Sequence, residues 1–330
     1  MFDRPPHLMK AAQLSALEGP SVLRVADVPV PSDTGRVLIE VRAAGVSYPD
    51  LLMTYGKYQK QVPAPFVPGI EIAGVVAAAP KGSAVSVGDD VVAFSADQGG
   101  YAEFVTVDPS AVAPKPPELD FGQAAALMAN FQTTHFALTR RSQVRQGQTV
   151  LVLGAAGGVG TAGIQVAHAL GARVIAVVHR SGTEELLRTL GADHVVALAD
   201  GWATQVRELT NGVGVDVVLD PIGGVAFDDA VRTLASEGQL LVIGFAAGGI
   251  PSVKVNRLLM RNASVVGVAW GEYVRSNPTV FRESVDSLAK LIADGLRPHI
   301  TARYPLDGAA AALAALERGE IVAKAVLDLS

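Results

Sequence analysis

The sequence predicts an α/β protein in which a doubly wound parallel sheet is joined to a smaller, irregular β-rich domain. Three observations carry this. A chain of 330 residues is long for a single core, so two domains are the starting expectation. Between residues 149 and 270, short apolar runs alternate with helical segments, as parallel strands and crossover helices do. The first third instead has short Val-rich runs broken by Pro and Gly at close intervals, the pattern of short strands and tight turns.

Taken in order, the strand-like runs of the first third are "GRVLIEVRAAGV", "IAGVVAAA", "DDVVAFS" and "YAEFVTV". From about Phe121 the spacing of "FGQAAALMANFQTTHFALTRRS" becomes helical. Strand "TVLVLGA", helix "GTAGIQVAHALG", strand "ARVIAVV", helix "TEELLRTLG" and strand "HVVAL" follow, and "VDVVLDPIGG", "GQLLVIGF" and "ASVVGVAW" supply further buried strands. After Trp270 comes an amphipathic helix, "FRESVDSLAKLIADG", then a helix-strand unit, "DGAAAALAALERGEIVAKAVLDLS". On pattern alone this tail either extends the sheet domain or returns to the N-terminal β domain.

Composition narrows the function. The net charge of -5 gives no basic field, so a nucleic-acid partner has no electrostatic support. With no cysteine, disulfides, thiolate metal sites and a cysteine nucleophile are all excluded. The start "MFDRPPHLMK" has no apolar core of a secretory signal, and the uncharged stretch 149–172 is too broken by glycine for a membrane span. A soluble, cytoplasmic protein with no membrane partner is expected.

In "VLVLGAAGGVG" an apolar strand breaks into glycines that open a helix, the context of a dinucleotide phosphate loop. The spacing departs from G-x-G-x-x-G: with Gly157 and Gly160 in the last two places, the first falls on Ala155, and Gly154 stands one residue early. The next strand ends "VVHRSG", with no acid from Val177 to Gly182 to bind a ribose diol. Arg180 stands there instead, with His179, Ser181 and Thr183 beside it. A guanidinium pairs with a 2′-phosphate that an acid would repel, so NADPH is the expected cofactor. The competing readings are a glycine turn of purely backbone origin and a solvated strand-end charge.

The ordered stretches "AAGVSYPDLL", "PGIEIAGVV", "VGDDVVAF", "GGYAEFVTV", "GAAGGVGTAGIQVA", "LGADHVV" and "VDVVLDPIGG" together resemble the medium-chain dehydrogenase/reductase superfamily, in its zinc-free, zeta-crystallin-like quinone oxidoreductase branch. Zinc-dependent relatives carry Cys after "AGV" and His within "PG-H-E"; here Ser47 and Ile70 stand there, and no metal site is expected. The resemblance implies a Rossmann-type domain over 125–270 and a GroES-like catalytic domain from 1–124 and 271–330, the tail returning to the latter. It also fits the loop, because this branch often shows A-x-x-G-x-x-G and Gly154-Ala-Ala-Gly157-Gly-Val-Gly160 has that spacing.

The implied reaction is hydride transfer from NADPH to a small acceptor, a quinone, or alternatively an enone, alkenal or enoyl thioester. A nucleotide- or RNA-binding protein with little turnover is the reading from another class. Implied catalytic candidates are Tyr58 as a hydrogen-bond or proton donor, with Ser47, Tyr48 and Asp50 on the loop facing the nicotinamide. Cofactor contacts are implied for Thr133, Gly154, Ala156, Gly157, Gly158, Val159, His179, Arg180, Ser181, Gly244, Phe245 and Lys324. Asn130 and His135 are weaker candidates, Trp270 is either a pocket wall or core, and Glu71 is read as structural. A homodimer formed through "ASVVGVAW" at the sheet edge is also implied.

Overall fold

The computed structural model describes residues 6–329. The chain divides into two compact units, residues 1–129 with 277–330, and residues 130–276. Both limits lie slightly C-terminal to the boundaries expected from sequence. The helix at Phe121–Ala126 packs on strands of the first unit, and the helix at Trp270–Ser276 on an element of the second.

The first unit opens with an antiparallel hairpin of β1 (Leu8–Leu14) and β2 (Leu23–Pro29). Then come β3 (Val37–Val46), α1 (Tyr48–Thr54), β4 (Glu71–Ala78), β5 (Asp90–Phe94), β6 (Phe104–Val107), β7 (Val112–Pro114) and α2 (Phe121–Ala126). Strand β3 is the spine, pairing antiparallel with both β4 and β6. Val37 and Leu38 are both buried, and from Ile39 the strand alternates, with Ile39, Val41 and Ala43 buried while Glu40 and Arg42 form a half-exposed ion pair. Its second half, Ala43–Val46, is buried throughout.

The helical run expected from Phe121 is interrupted by two wide π turns, Leu127–Phe131 and Phe136–Arg141, which flank α3 (Gln132–His135). The second unit continues through β8 (Thr149–Val152), α4 (Gly158–Ala169), β9 (Arg173–Val178), α5 (Glu184–Thr189), β10 (His194–Ala197) and α6 (Trp202–Leu209). It closes with β11 (Val215–Asp220), α7 (Ala226–Thr233), β12 (Leu234–Val242), α8 (Val255–Leu259), β13 (Ser264–Gly267) and α9 (Trp270–Ser276). The strands lie in the order β10-β9-β8-β11-β12-β13 with every pairing parallel. This is the doubly wound Rossmann order, and its direction reverses between β8 and β11. Residues Val174–Val178 are all buried, as a strand covered on both faces requires.

The tail supplies α10 (Thr279–Ala293), β14 (Ile300–Pro305), α11 (Ala309–Glu317) and β15 (Lys324–Asp328). Strand β15 pairs with β3 from Ala325 opposite Val46 to Asp328 opposite Ala43, completing a sheet of order β14-β15-β3-β4-β5-β7. The last strand thus belongs to the first unit. Among the described residues no helix is long and apolar enough to cross a membrane.

Candidate functional site

In the Rossmann unit, the loop after β8 turns at Gly154, whose φ of 57° suits glycine, and α4 starts at Gly158 behind Gly157. Backbone bonds fix it: the Ala155 amide donates to the Val177 carbonyl (3.1 Å) and the Gly157 amide to that of Gly154 (2.9 Å). A Cβ at Gly160 would strike the Gly154 carbonyl and lie 2.7 Å from the Ala155 Cα; one at Gly154 would lie 2.7 Å from Ile222 Cγ2. Gly154 therefore belongs to the loop by backbone geometry, although it breaks the usual spacing. Gly157 is exposed and Gly158 and Val159 half-buried, so the first-turn amides of α4 are open to an anion, while Ala156 is buried beneath them. A pyrophosphate fits this cradle.

Strand β9 ends at buried Val178, and exposed His179, half-buried Arg180 and exposed Ser181 follow. Thr183, expected to assist them, is buried and its hydroxyl donates to the Arg180 carbonyl (3.1 Å), so it shapes the turn. Half-buried Gly244 and exposed Phe245 follow β12. Thr133 is half-buried within α3, preceded by a π turn, so it is not a helix-start cap. Half-buried Asn130 lends its carbonyl to the Thr134 hydroxyl (2.9 Å). Burial lowers the His135 pKa and keeps the ring neutral, and Trp270 is buried at the start of α9.

The first unit holds a buried polar cluster built by three adjacent strands. Lys324 opens β15, Ser47 follows β3 and Glu71 opens β4, and all are buried. The Lys324 ammonium and the Ser47 hydroxyl both donate to Glu71 Oε1, and the ammonium reaches Ser47 Oγ at 3.2 Å. Glu71 Oε2 accepts from the Ala129 amide (2.7 Å), within the first π turn. Gly45 leaves room for this carboxyl, since a Cβ there would come within 2.5 Å of it.

Beside it lies Asp50, fully buried. Its Oδ2 accepts from the Ser47 amide (3.1 Å) and the Tyr101 hydroxyl (3.2 Å), and its Oδ1 from the Gly69 amide (3.2 Å). Burial, reinforced by the Glu71 charge, raises its pKa to about 7 against the opposing pull of Lys324. Burial raises the Tyr101 phenol as well, keeping it a donor.

Three residues expected at the site, Ser47, Asp50 and Lys324, lie together in this cluster. Lys324, expected at the cofactor, spends its ammonium on Glu71 and Ser47. Ser47, expected to face the nicotinamide, turns its hydroxyl to Glu71. Tyr48 is 40 % exposed, and Tyr58 is half-buried against the apolar core of its unit. Sequence reasoning missed Tyr101 in the cluster, which no local signal marks, and Asp220 in the Rossmann unit, whose signal was an acid closing the apolar run "VDVVLD".

Known proteins share the two domain types of this chain. Residues 33–117 match the alcohol dehydrogenase GroES-like domain and residues 158–290 the zinc-binding dehydrogenase family. Quinone oxidoreductase-like protein 2 from Bos taurus is 35 % identical over 302 residues, covering 90 % of this chain and 86 % of its own. A probable oxidoreductase from Mycobacterium abscessus superposes with a TM-score of 0.91 at 52 % identity, over 98 % of this chain and 100 % of its own. Mycobacterial Rv1454c complexed with NADPH gives 0.89 at 35 % identity, over 97 % and 100 %. The chain therefore belongs to the medium-chain dehydrogenase/reductase superfamily, as an oxidoreductase of its quinone oxidoreductase branch.

Proposed function

We propose that the protein is an NADPH-dependent reductase that passes hydride to a quinone without a metal. The observation that carries this is the open amide cradle of α4 combined with Arg180, and no acid, after β9. The Gly157–Gly160 backbone holds the pyrophosphate, Arg180 pairs with the 2′-phosphate with His179 and Ser181 beside it, and Gly244, Phe245 and Thr133 serve the nicotinamide half. NADPH, when bound, supplies the hydride. Tyr58 and Tyr48 are the candidate donors of a hydrogen bond to the charge that develops on the acceptor oxygen. Rv1454c complexed with NADPH supports the choice of cofactor.

The metal-free reading rests on the donor set. Where zinc-dependent relatives carry Cys and His, this chain has Ser47 and Ile70, and the Lys324 ammonium already occupies the neighbouring carboxylate. An enoyl thioester would favour a basic mouth for its carrier phosphate. Lys60 instead pairs with Asp97 (3.0 Å), Lys57 lies over the Tyr55 ring (5.2 Å) and Arg261 donates to the Leu234 carbonyl (2.7 Å). A homodimer through β13 is part of the same reading. Among the described strands β13 pairs only with β12, and the same unit exposes Ile250, Val255, Leu259 and Met260.

The test follows NADPH and NADH oxidation against quinones, enones and enoyl thioesters. Preferential NADPH oxidation with quinones is expected, and no turnover with any acceptor refutes the reading.

A further inference from the structure

At the carboxyl end of β11, beside the point where the strand order reverses, Asp220 is fully buried. Its Oδ1 accepts two backbone bonds, from the Ile222 amide (3.0 Å) and the Gly223 amide (2.8 Å). Its Oδ2 is buried with no hydrogen-bond partner among the described residues. Burial raises its pKa. A half-satisfied buried acid is costly, so its retention calls for a gain elsewhere.

The turn that Oδ1 organises supplies that gain. Gly223 and Gly224 both have positive φ, 61° and 63°, one of the many conformations open to two glycines, and the Asp220 carboxylate selects it through the Gly223 amide. Once it is held, the Pro221 carbonyl accepts from the Ala246 amide (3.3 Å) and the Ile222 carbonyl from the Ala247 amide (2.9 Å). The Gly224 amide in turn donates to the Gly249 carbonyl (3.2 Å). Three bonds thus tie the turn after β11 to the segment that begins at Gly244 and Phe245.

We infer that Asp220 is a positioning residue: through the 221–224 turn it fixes the Gly244–Phe245 backbone in the conformation that receives the nicotinamide end of NADPH. This rests on the NADPH reading above. The phosphate loop is held by its own bonds, Ala155 to Val177 and Gly157 to Gly154, and meets the turn only where the Ile222 side chain approaches Gly154, so the adenosine half depends on Asp220 far less than the nicotinamide half does.

The test compares binding of NADPH with that of adenosine 2′,5′-bisphosphate, which lacks the nicotinamide half, by titration calorimetry. Asp220→Ala is expected to weaken NADPH binding about tenfold and leave the bisphosphate within about twofold. Asp220→Asn keeps the accepting oxygen and sacrifices no partner at the other position, so it should restore NADPH binding. Asp220→Ser retains one acceptor in a turn of the same kind and, should the alanine variant not fold, must show a smaller loss confined to NADPH. Equal losses for both ligands, or no loss for either, overturn the assignment. Wild-type protein that binds neither ligand overturns the NADPH reading itself, and this inference with it.

Discussion

Asp50 should make the stability of the protein depend on pH in a way that its amide variant does not. Its pKa is 3.8 when unfolded and about 7 when folded, so folding favours the protonated acid by about 4 kcal/mol. The sign follows from the raised value. Below pH 4 both states hold the proton and the contribution is fully present; as pH rises the unfolded chain releases the proton first, and stability drains away until the folded pKa is passed. About 3 kcal/mol of the loss falls between pH 5 and 8. Asp50→Asn cannot ionise, so it lacks this slope. It also faces its amide nitrogen toward either the Ser47 or the Gly69 amide, forfeiting one bond at about 1–3 kcal/mol at every pH. The diagnostic quantity is therefore the change with pH of the difference between wild type and variant, in which other titrating groups cancel. Urea denaturation at pH 5 and pH 8 measures it. Far-ultraviolet circular dichroism must report, because both tryptophans, Trp202 and Trp270, lie in the Rossmann unit. The variant should lose ground at pH 5 and recover about 3 kcal/mol of it at pH 8. A constant difference would refute the assignment of a proton to this site.

Arg180→Ala should raise the NADPH dissociation constant about 10- to 100-fold, the value of a charge-assisted pair, and leave NADH unchanged; fluorescence titration with both cofactors checks this. Gly160→Ala places a Cβ against the Gly154 carbonyl and the Ala155 backbone, so calorimetry should find binding of both cofactors abolished and melting should show a loss of about 1–3 kcal/mol. Val266→Lys puts a charge on the half-buried edge strand β13, and light scattering should show dimers for the wild type and monomers for the variant.

Periodicity exposed the regular parts of the fold because burial on one or both faces writes itself into neighbouring residues. The runs "ARVIAVV" and "TVLVLGA" became β9 and β8 for that reason. The hairpin partner β2, "LRVADVP", escaped notice: it is mostly exposed or half-exposed, and its pairing with β1 depends on a segment elsewhere in the chain. The π turns around α3 leave no mark either, since they change hydrogen-bond spacing and not residue type. Among the candidate site residues, the glycine loop and Arg180 were visible because each stands at the end of its own strand. Lys324 and Ser47 were placed by resemblance, and their contact with Glu71 came into view only once β15, β3 and β4 were seen side by side. A contact between residues 47, 71 and 324 is set by sheet order, which local sequence does not encode.

That contact also explains how a buried carboxylate persists at Glu71. Glu71 is fully buried, and a lone carboxylate there would face a solvation loss of several kcal/mol. In this chain the compensating cation is covalent, carried on the last strand, so the charge of Glu71 is balanced only when β15 docks beside β3. Lys324→Met should therefore destabilise the protein by about 3–5 kcal/mol, because it leaves the acid behind without its cation. Glu71→Gln should cost less, since the amide keeps an oxygen for the lysine or for the Ala129 amide. The double variant Glu71→Gln/Lys324→Met removes both charges and should recover most of the loss of the lysine variant. Thermal melts of the three proteins decide it: if the two single losses simply add, the ammonium is a packing group and not the counter-charge of Glu71.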